Sequence, residues 1–317
     1  MPGHRRVILT VLVTLLVLLG AASTGIAQTR IAQTRIAQTR IPETRAAAPV
    51  TVAQAFTGAG QYVALGDSFA AGPFIPVQRS DPLGCARSSH NYPALIAENL
   101  GVTEFTDVTC SAATTENMTT AQQVLLGSNA PQFDALRPDT DLVTVSIGGN
   151  DIGYSDIVLT CGRLSLTDPA GDPCHRQATA GGSDVYAERI LEAAPKVSEV
   201  LRGIRERSPN ASVLLVGYLR ILPPARGCWP VVPISSGDVP YLDGIQQQLT
   251  QMLATQAHDN GAAFVDAYAA SLGHDTCRSP AVKWVEGILP TSPAFPVHPN
   301  ARGMQAVAQL ALGTTLG

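Results

Sequence analysis

From Gln61 onward, short uncharged apolar runs alternate with longer segments whose apolar residues recur every three or four positions. Tyr62 to Leu65 reads as a strand ending at Gly66, Tyr92 to Leu100 as a helix, and Glu104 to Thr109 as a second strand. The run LVTVSI, Leu142 to Ile147, is rich in β-branched residues, carries no charge and stops at Gly148-Gly149. That is the signature of a strand covered on both faces. Residues 186–207 place Ile190, Ala194, Val197, Leu201 and Ile204 on one helical face. Pro195 falls inside that segment and predicts a kink or a fresh helix start. The strand Ser212 to Val216 follows, then a helix with Leu242, Ile245, Leu249, Met252 and Leu253 on one face. Ala263 to Val265 is a last strand, and Asn300 is placed to cap a C-terminal helix with Met304, Val307, Leu310 and Ala311 apolar. Strand–helix alternation of this kind predicts a parallel sheet sandwiched between helices. Ligands of such folds gather beyond the carboxyl ends of the strands, so the residues that follow each strand carry the functional information.

The first 58 residues have a different pattern. Arg5 and Arg6 precede an uncharged apolar run from Val7 to Gly20, with small residues at Ala21, Ala22, Gly25 and Ala27. This reads as a secretory signal spanning 1–27, cleaved near 22–27. The run is shorter than the ~20 residues that span a bilayer, which disfavours an uncleaved anchor. Next, IAQTR repeats at 26–30, 31–35 and 36–40, with the variant IPETR at 41–45. A period of five matches neither a heptad nor a helix face, so 28–58 reads as a low-complexity linker. Residues 59–317 are left as a single α/β domain.

Charge narrows the partners. The whole chain of 317 residues has a formal net charge of −4, and 1–45 hold six arginines against Glu43 alone, so the body is more acidic than the total suggests. An acidic body excludes nucleic-acid binding by phosphate neutralisation, and nothing after the leader resembles a membrane span. Six cysteines, Cys85, Cys110, Cys161, Cys174, Cys228 and Cys277, include no CxxC pair, so a zinc ribbon or thioredoxin-like site has no support. Behind a signal peptide they predict three disulfides among fifteen possible pairings. Sequential pairing, Cys85–Cys110, Cys161–Cys174 and Cys228–Cys277, is the simplest because each pair brackets loop-like sequence.

Three strand-end motifs carry chemistry. Gly66-Asp67-Ser68 follows the first strand, where a serine on a glycine-flanked turn presents its hydroxyl at a helix N-terminus. Gly148-Gly149-Asn150-Asp151 follows the LVTVSI strand, where glycines admit close backbone approach and an Asn amide can donate to an oxyanion. Each alone is also an ordinary strand-to-helix turn. Of the six histidines, His4 lies in the leader, His175 beside a cysteine, His258 near the exposed end of a helix, and His90 and His274 in cysteine-bracketed loops. His298 stands immediately before Pro299-Asn300 and the last helix, where it reaches the same edge.

Taken together, the GDS turn at 66–68, GGND at 148–151 and VHPNARGM at 297–304 resemble the SGNH hydrolases, also called GDSL esterases and lipases. The resemblance covers roughly residues 61–315 and is nearest to the secreted actinobacterial branch. It extends to CSAATT, Cys110 to Thr115. It implies a flavodoxin-like three-layer α/β/α sandwich, three sequential disulfides and a cofactor-free, metal-free ester hydrolase. Ser68 would be the nucleophile and His298 the general base, with Asn150 and the backbone N–H groups of Ser68 and Ala112 as the oxyanion hole. Two positions depart from the family pattern. A glycine usually stands where Ala112 (or, as a second choice, Ala113) falls, and alanine is expected to serve there at a negative φ. The family's Asp three residues before the histidine is Phe295 here, so a backbone carbonyl should orient the imidazole. Phe295 O is the first expectation, ahead of Trp284, Asp266, Asp275 and Glu286. The implied protein is a secreted monomer acting on small-molecule or lipid esters. The alternatives are an acyltransferase or polysaccharide deacetylase on the same fold, or a catalytically silent envelope-binding module.

Overall fold

The computed structural model describes residues 60–316; the signal and linker assignments, 1–27 and 28–58, lie outside the described residues. Seven strands occur within it: β1 (Gln61–Gly66), β2 (Glu104–Asp107), β3 (Gln122–Val124), β4 (Gly127–Asn129), β5 (Leu142–Ser146), β6 (Ser212–Val216) and β7 (Ala263–Val265). β3 and β4 form a small antiparallel hairpin, while the other five make one parallel sheet in the order β2-β1-β5-β6-β7. β5 is buried at every position, as its uncharged composition requires. β2 stops two residues earlier than its composition suggests, because the Asp107 carboxylate turns back to accept the Thr109 N–H at 3.0 Å.

The helices are α1 (Ser68–Ala71), α2 (Tyr92–Leu100), α3 (Tyr154–Ser165), α4 (Pro173–Ala178), α5 (Val185–Arg207), α6 (Asp238–Asp259), α7 (Ala267–Ala270) and α8 (Ala301–Leu316). From β1 the chain moves outward to β2, then returns across β1 to β5 and proceeds the opposite way through β6 and β7. Right-handed crossovers that travel in opposite directions put their helices on opposite faces. Accordingly α2 packs with α8, α5 packs with α6, and the sheet lies between. α5 runs as one helix through Pro195, so of the two expectations, a kink or a fresh start, the fresh start is not found. The hydrogen bond that Pro195 cannot donate would have gone to the carbonyl of Leu191, a residue 73% exposed and therefore open to water. No helix among the described residues is long and apolar enough to cross a membrane.

The reversal of direction makes the gap between β1 and β5 the topological switch point, where a doubly wound sheet opens a crevice. Gly66 and Ser146 are register partners at the carboxyl ends of these two strands, and the Asp67 N–H donates to Ser146 O at 2.9 Å. Both glycine-rich turns therefore emerge side by side. The loops around them are tied by three disulfides, Cys85–Cys110, Cys161–Cys174 and Cys228–Cys277, which leave no free cysteine. Sequence separations of 25, 13 and 49 correspond to about 3–4 kcal/mol each in the chain-entropy description.

Candidate active site

Ser68 opens α1 directly after the Gly66-Asp67 turn. Gly66 has φ +142°, and a Cβ there would lie 2.6 Å from Ser146 O, so the turn admits only glycine. Gln132 clamps the same peptide, its Oε1 accepting the Gly66 N–H at 2.7 Å and its Nε2 donating to Gly66 O at 2.9 Å. Asp67 caps the helix by accepting the Phe69 N–H at 2.9 Å. Ser68 Oγ then stands 2.8 Å from His298 Nε2, across 230 residues of sequence.

On the other side of the imidazole, Nδ1 is 2.8 Å from the Pro296 carbonyl. A carbonyl only accepts, so Nδ1 carries the proton and Nε2 is free to accept from the serine. The expectation of Phe295 O is thereby corrected by one residue. Phe295 O instead accepts the backbone N–H of His298 at 3.2 Å, closing a tight turn that carries the next carbonyl to the ring. That turn depends on Val297 at φ +62°, a conformation that β-branched residues rarely adopt and that sequence spacing does not reveal. The Phe295 side chain remains close, edge-on to the imidazole at 5.2 Å between centroids, with Phe69 on another side at 5.0 Å.

The carboxylates considered for the orienting role are engaged elsewhere. Asp266 caps α7 through the Ala269 N–H, and Asp275 accepts from Cys277 N and Arg278 Nε. The ring of Trp284 stacks on His274. Glu286 is buried and supports the histidine loop through its backbone. Its N–H donates to His298 O at 2.9 Å and its carbonyl accepts from Val297 N at 3.1 Å. Burial would raise its carboxyl pKa, but hydrogen bonds from Lys283, Ser292, Thr291 and Asn300 outweigh burial and hold it at about 2. The folded-state value is depressed, so this carboxylate stabilises the loop above its ordinary 4.5, a contribution lost as pH falls through about 2.

Tyr218, two residues past the end of β6, is a member of the site that the motifs do not reveal. Its hydroxyl donates to Asp67 Oδ2 at 2.6 Å and accepts the Gly149 N–H at 2.8 Å, joining the GDS turn to the GGND turn. A Cβ on Gly149 would fall 2.9 Å from the tyrosine ring, which explains glycine at that position. Burial, outweighing the hydrogen bonds from Tyr218 and Phe69, pushes the Asp67 carboxyl up to about 7. Asp67 thus organises the turn and lies on the serine's backbone side, with no hydrogen bond to His298.

Asn150 Nδ2 donates to Ala113 O at 2.9 Å, which leaves its second amide hydrogen free. Asp151 accepts from Thr115 N at 3.1 Å and Thr115 Oγ1 at 2.5 Å, so CSAATT and GGND are held together. The N–H of Ala113 is spent on Cys110 O, whereas among the described residues no acceptor takes the N–H of Ala112 or of Ser68. Ser68, Ala112, Asn150 and His298 line one cavity of about 650 Å³, within the usual range for small-molecule sites. The negative φ expected of Ala112 is not found; it is +64°. The segment needs a left-handed residue there, and alanine tolerates it at a cost of about 1–2 kcal/mol. Ala112→Gly is accordingly expected to stabilise the protein by up to about 1 kcal/mol with the cavity unchanged, read as a raised melting temperature.

Residues 64–306 match the profile of the GDSL-like Lipase/Acylhydrolase family. Lipase 2 of Streptomyces coelicolor is 41% identical over 254 residues, covering 78% of this chain and 83% of that protein. An esterase of Streptomyces scabiei is 30% identical over the same shares of the two chains. The crystal structure of phospholipase A1 from Streptomyces albidoflavus superposes with a TM-score of 0.68 at 26% identity, covering 82% of this chain and all of that one. The family match and these relatives identify a carboxylic ester hydrolase. The chain belongs to the GDSL-like lipase/acylhydrolase family.

Proposed function

We propose that this hydrolase is secreted and cleaves carboxylic esters through an acyl-enzyme on Ser68, without a cofactor. The observation that carries the reading is the Ser68 Oγ–His298 Nε2 pair at 2.8 Å with Nδ1 held by Pro296 O. Ser68 attacks the ester carbonyl as Nε2 takes its proton, and the imidazolium returns that proton to the departing alcohol. The oxyanion is received by the N–H groups of Ser68 and Ala112 and the free amide hydrogen of Asn150. Water then attacks the acyl-enzyme with His298 again as base. The names of its relatives, lipase, esterase and phospholipase A1, favour lipid esters as the substrate class. The signal-like leader and the disulfides favour export. A fluorophosphonate probe should label Ser68 stoichiometrically, and a panel of p-nitrophenyl esters, phospholipids and acetylated sugars should be hydrolysed selectively. An unlabelled, inactive protein would leave the silent binding module as the better description.

A carbonyl in place of a carboxylate has a consequence for pH. Burial lowers the His298 pKa, and the hydrogen bond to Pro296 O raises it by less, so it lies below its ordinary 6.5. The base works only when unprotonated, and a depressed pKa keeps it so at lower pH. The acid limb of kcat/KM should therefore have its midpoint below 6.5. A midpoint above about 7 would reveal a carboxylate behind the ring. For the same reason Asp266→Ala and Asp275→Ala should each cost less than about tenfold in kcat, against about 10⁴ for disabling a true triad acid.

A further inference from the structure

Gly148 and Gly149 leave Asn150 on a stretch of backbone with little steric preference of its own. Gly148 is at φ +107°, which side-chain-bearing residues rarely adopt, and Gly149 has the Tyr218 ring where a Cβ would stand. Their carbonyls accept from Ile152 N at 3.3 Å and Tyr154 N at 3.1 Å. The Gly149 N–H goes to the Tyr218 hydroxyl at 2.8 Å. That hydroxyl has one proton and donates it to Asp67 Oδ2 at 2.6 Å, so a lone pair is left to face Gly149. The carboxylate belongs to the residue before Ser68, and the amide to the residue before Asn150. One phenol oxygen thus links the turn of the nucleophile to the turn of the side-chain oxyanion donor. Capping α1 does not by itself call for a carboxylate. Asn or Ser would accept the Phe69 N–H as well, without the buried charge that pushes Asp67 up to about 7. A carboxylate adds a second oxygen, and that oxygen accepts from the tyrosine. Burial also holds the Tyr218 phenol well above its ordinary 10, so it keeps its proton. With that proton committed to Asp67 it has none for a substrate, and its effect on the reaction is indirect.

We propose that Tyr218 is a positioning residue of the ester hydrolysis, setting the place of the Asn150 amide relative to Ser68 by tying the Gly149 peptide to the Asp67 carboxylate. The inference rests on the acyl-enzyme reading, with Asn150 as an oxyanion donor. Misplacing a group in the site by about 1 Å costs up to about 10² in rate, so a tie between the two turns bears directly on the chemistry. The ring of Tyr218 has a separate contact, edge-on to Phe69 at 5.0 Å between centroids. Phenylalanine at 218 would keep that packing and remove only the tie.

The test measures kcat and KM for p-nitrophenyl butyrate above the Asp67 value of about 7, with active molecules counted by complete fluorophosphonate labelling. Tyr218→Phe should lower kcat per labelled site by about 10–100-fold and leave KM within about threefold. A purely structural role would reduce the number of labelled sites and leave kcat per site unchanged. In the Asn150→Ala background the same substitution should cost less than about threefold, because the donor it positions is gone. Asp67→Asn should give the same pattern and serves if Tyr218→Phe does not fold. A hydroxyl can reverse its bond and a backbone N–H cannot, so the new amide keeps its oxygen on the Phe69 N–H and turns its NH₂ toward Tyr218. The tyrosine proton is then no longer held away from Gly149. A loss in kcat per site below about threefold in Tyr218→Phe, or an undiminished loss on top of Asn150→Ala, would overturn the positioning role. If the unmodified protein takes no label and hydrolyses no ester, the acyl-enzyme reading itself fails instead.

Discussion

Ser68→Ala is expected to reduce kcat by at least about 10⁴, roughly 5.5 kcal/mol in transition-state stabilisation, while the protein stays folded. The two halves of that expectation have separate causes. Among the described residues, the Ser68 hydroxyl is the hydrogen-bond partner of His298 Nε2, at 2.8 Å, and no second side chain takes that place to form the acyl-enzyme. Its structural contribution is small: the backbone of the turn is held by hydrogen bonds of Asp67, Gln132 and Ser146, none of which involves Oγ. Losing one hydrogen bond at a cavity wall should cost no more than about 1 kcal/mol of stability. Residual hydrolysis from the oxyanion donors and substrate binding alone is anticipated, but far below the native rate. Retention of more than about a tenth of kcat, with an unchanged circular dichroism spectrum, would defeat the serine mechanism.

Asn150→Ala should lower kcat by about 10²–10³ and leave KM within a few-fold. The oxyanion exists only after attack, so a donor aimed at it stabilises the transition state and not the bound ester. The same side chain also holds Ala113 O at 2.9 Å, and some loosening of the CSAATT segment is expected from its loss. The split between kcat and KM separates the two effects. A loosened cavity would raise KM, whereas a lost oxyanion donor lowers kcat with KM nearly constant. A kcat within about fivefold of native would remove Asn150 from the oxyanion hole.

How much of this is legible in the sequence follows from the range of the interactions involved. β5 and α6 are legible because burial of a whole strand or of one helix face writes a local period into the chain, and every residue named on α6 is indeed buried. α3 escapes notice. Its sequence YSDIVLTCGRLS mixes β-branched residues with a mid-helix glycine, so propensity is weak, and only Ile157, Cys161 and Ser165 of it are buried. The β3–β4 hairpin escapes for a similar reason, three-residue strands being too short to show alternation. Pro195 starts no new helix because its missing hydrogen bond falls on the solvent side, which only the position of α5 against the sheet determines.

The sequence alone determined which residues arrive at the carboxyl edge: Ser68 after β1, Asn150 after β5 and His298 before α8, since each is tied to an adjoining element by a turn of fixed length. It also determined a cysteine count suited to three sequential disulfides. The tertiary structure decided what those residues meet. Tyr218 joins Asp67 to Gly149 across 151 and 69 residues, and Gln132 clamps Gly66 across 66. Such contacts leave no local period or spacing to read. The identity of the carbonyl behind His298 rests on a single dihedral angle, that of Val297. Short-range order follows from neighbours along the chain, whereas a site assembled from distant segments takes its geometry from the packing that brings them together.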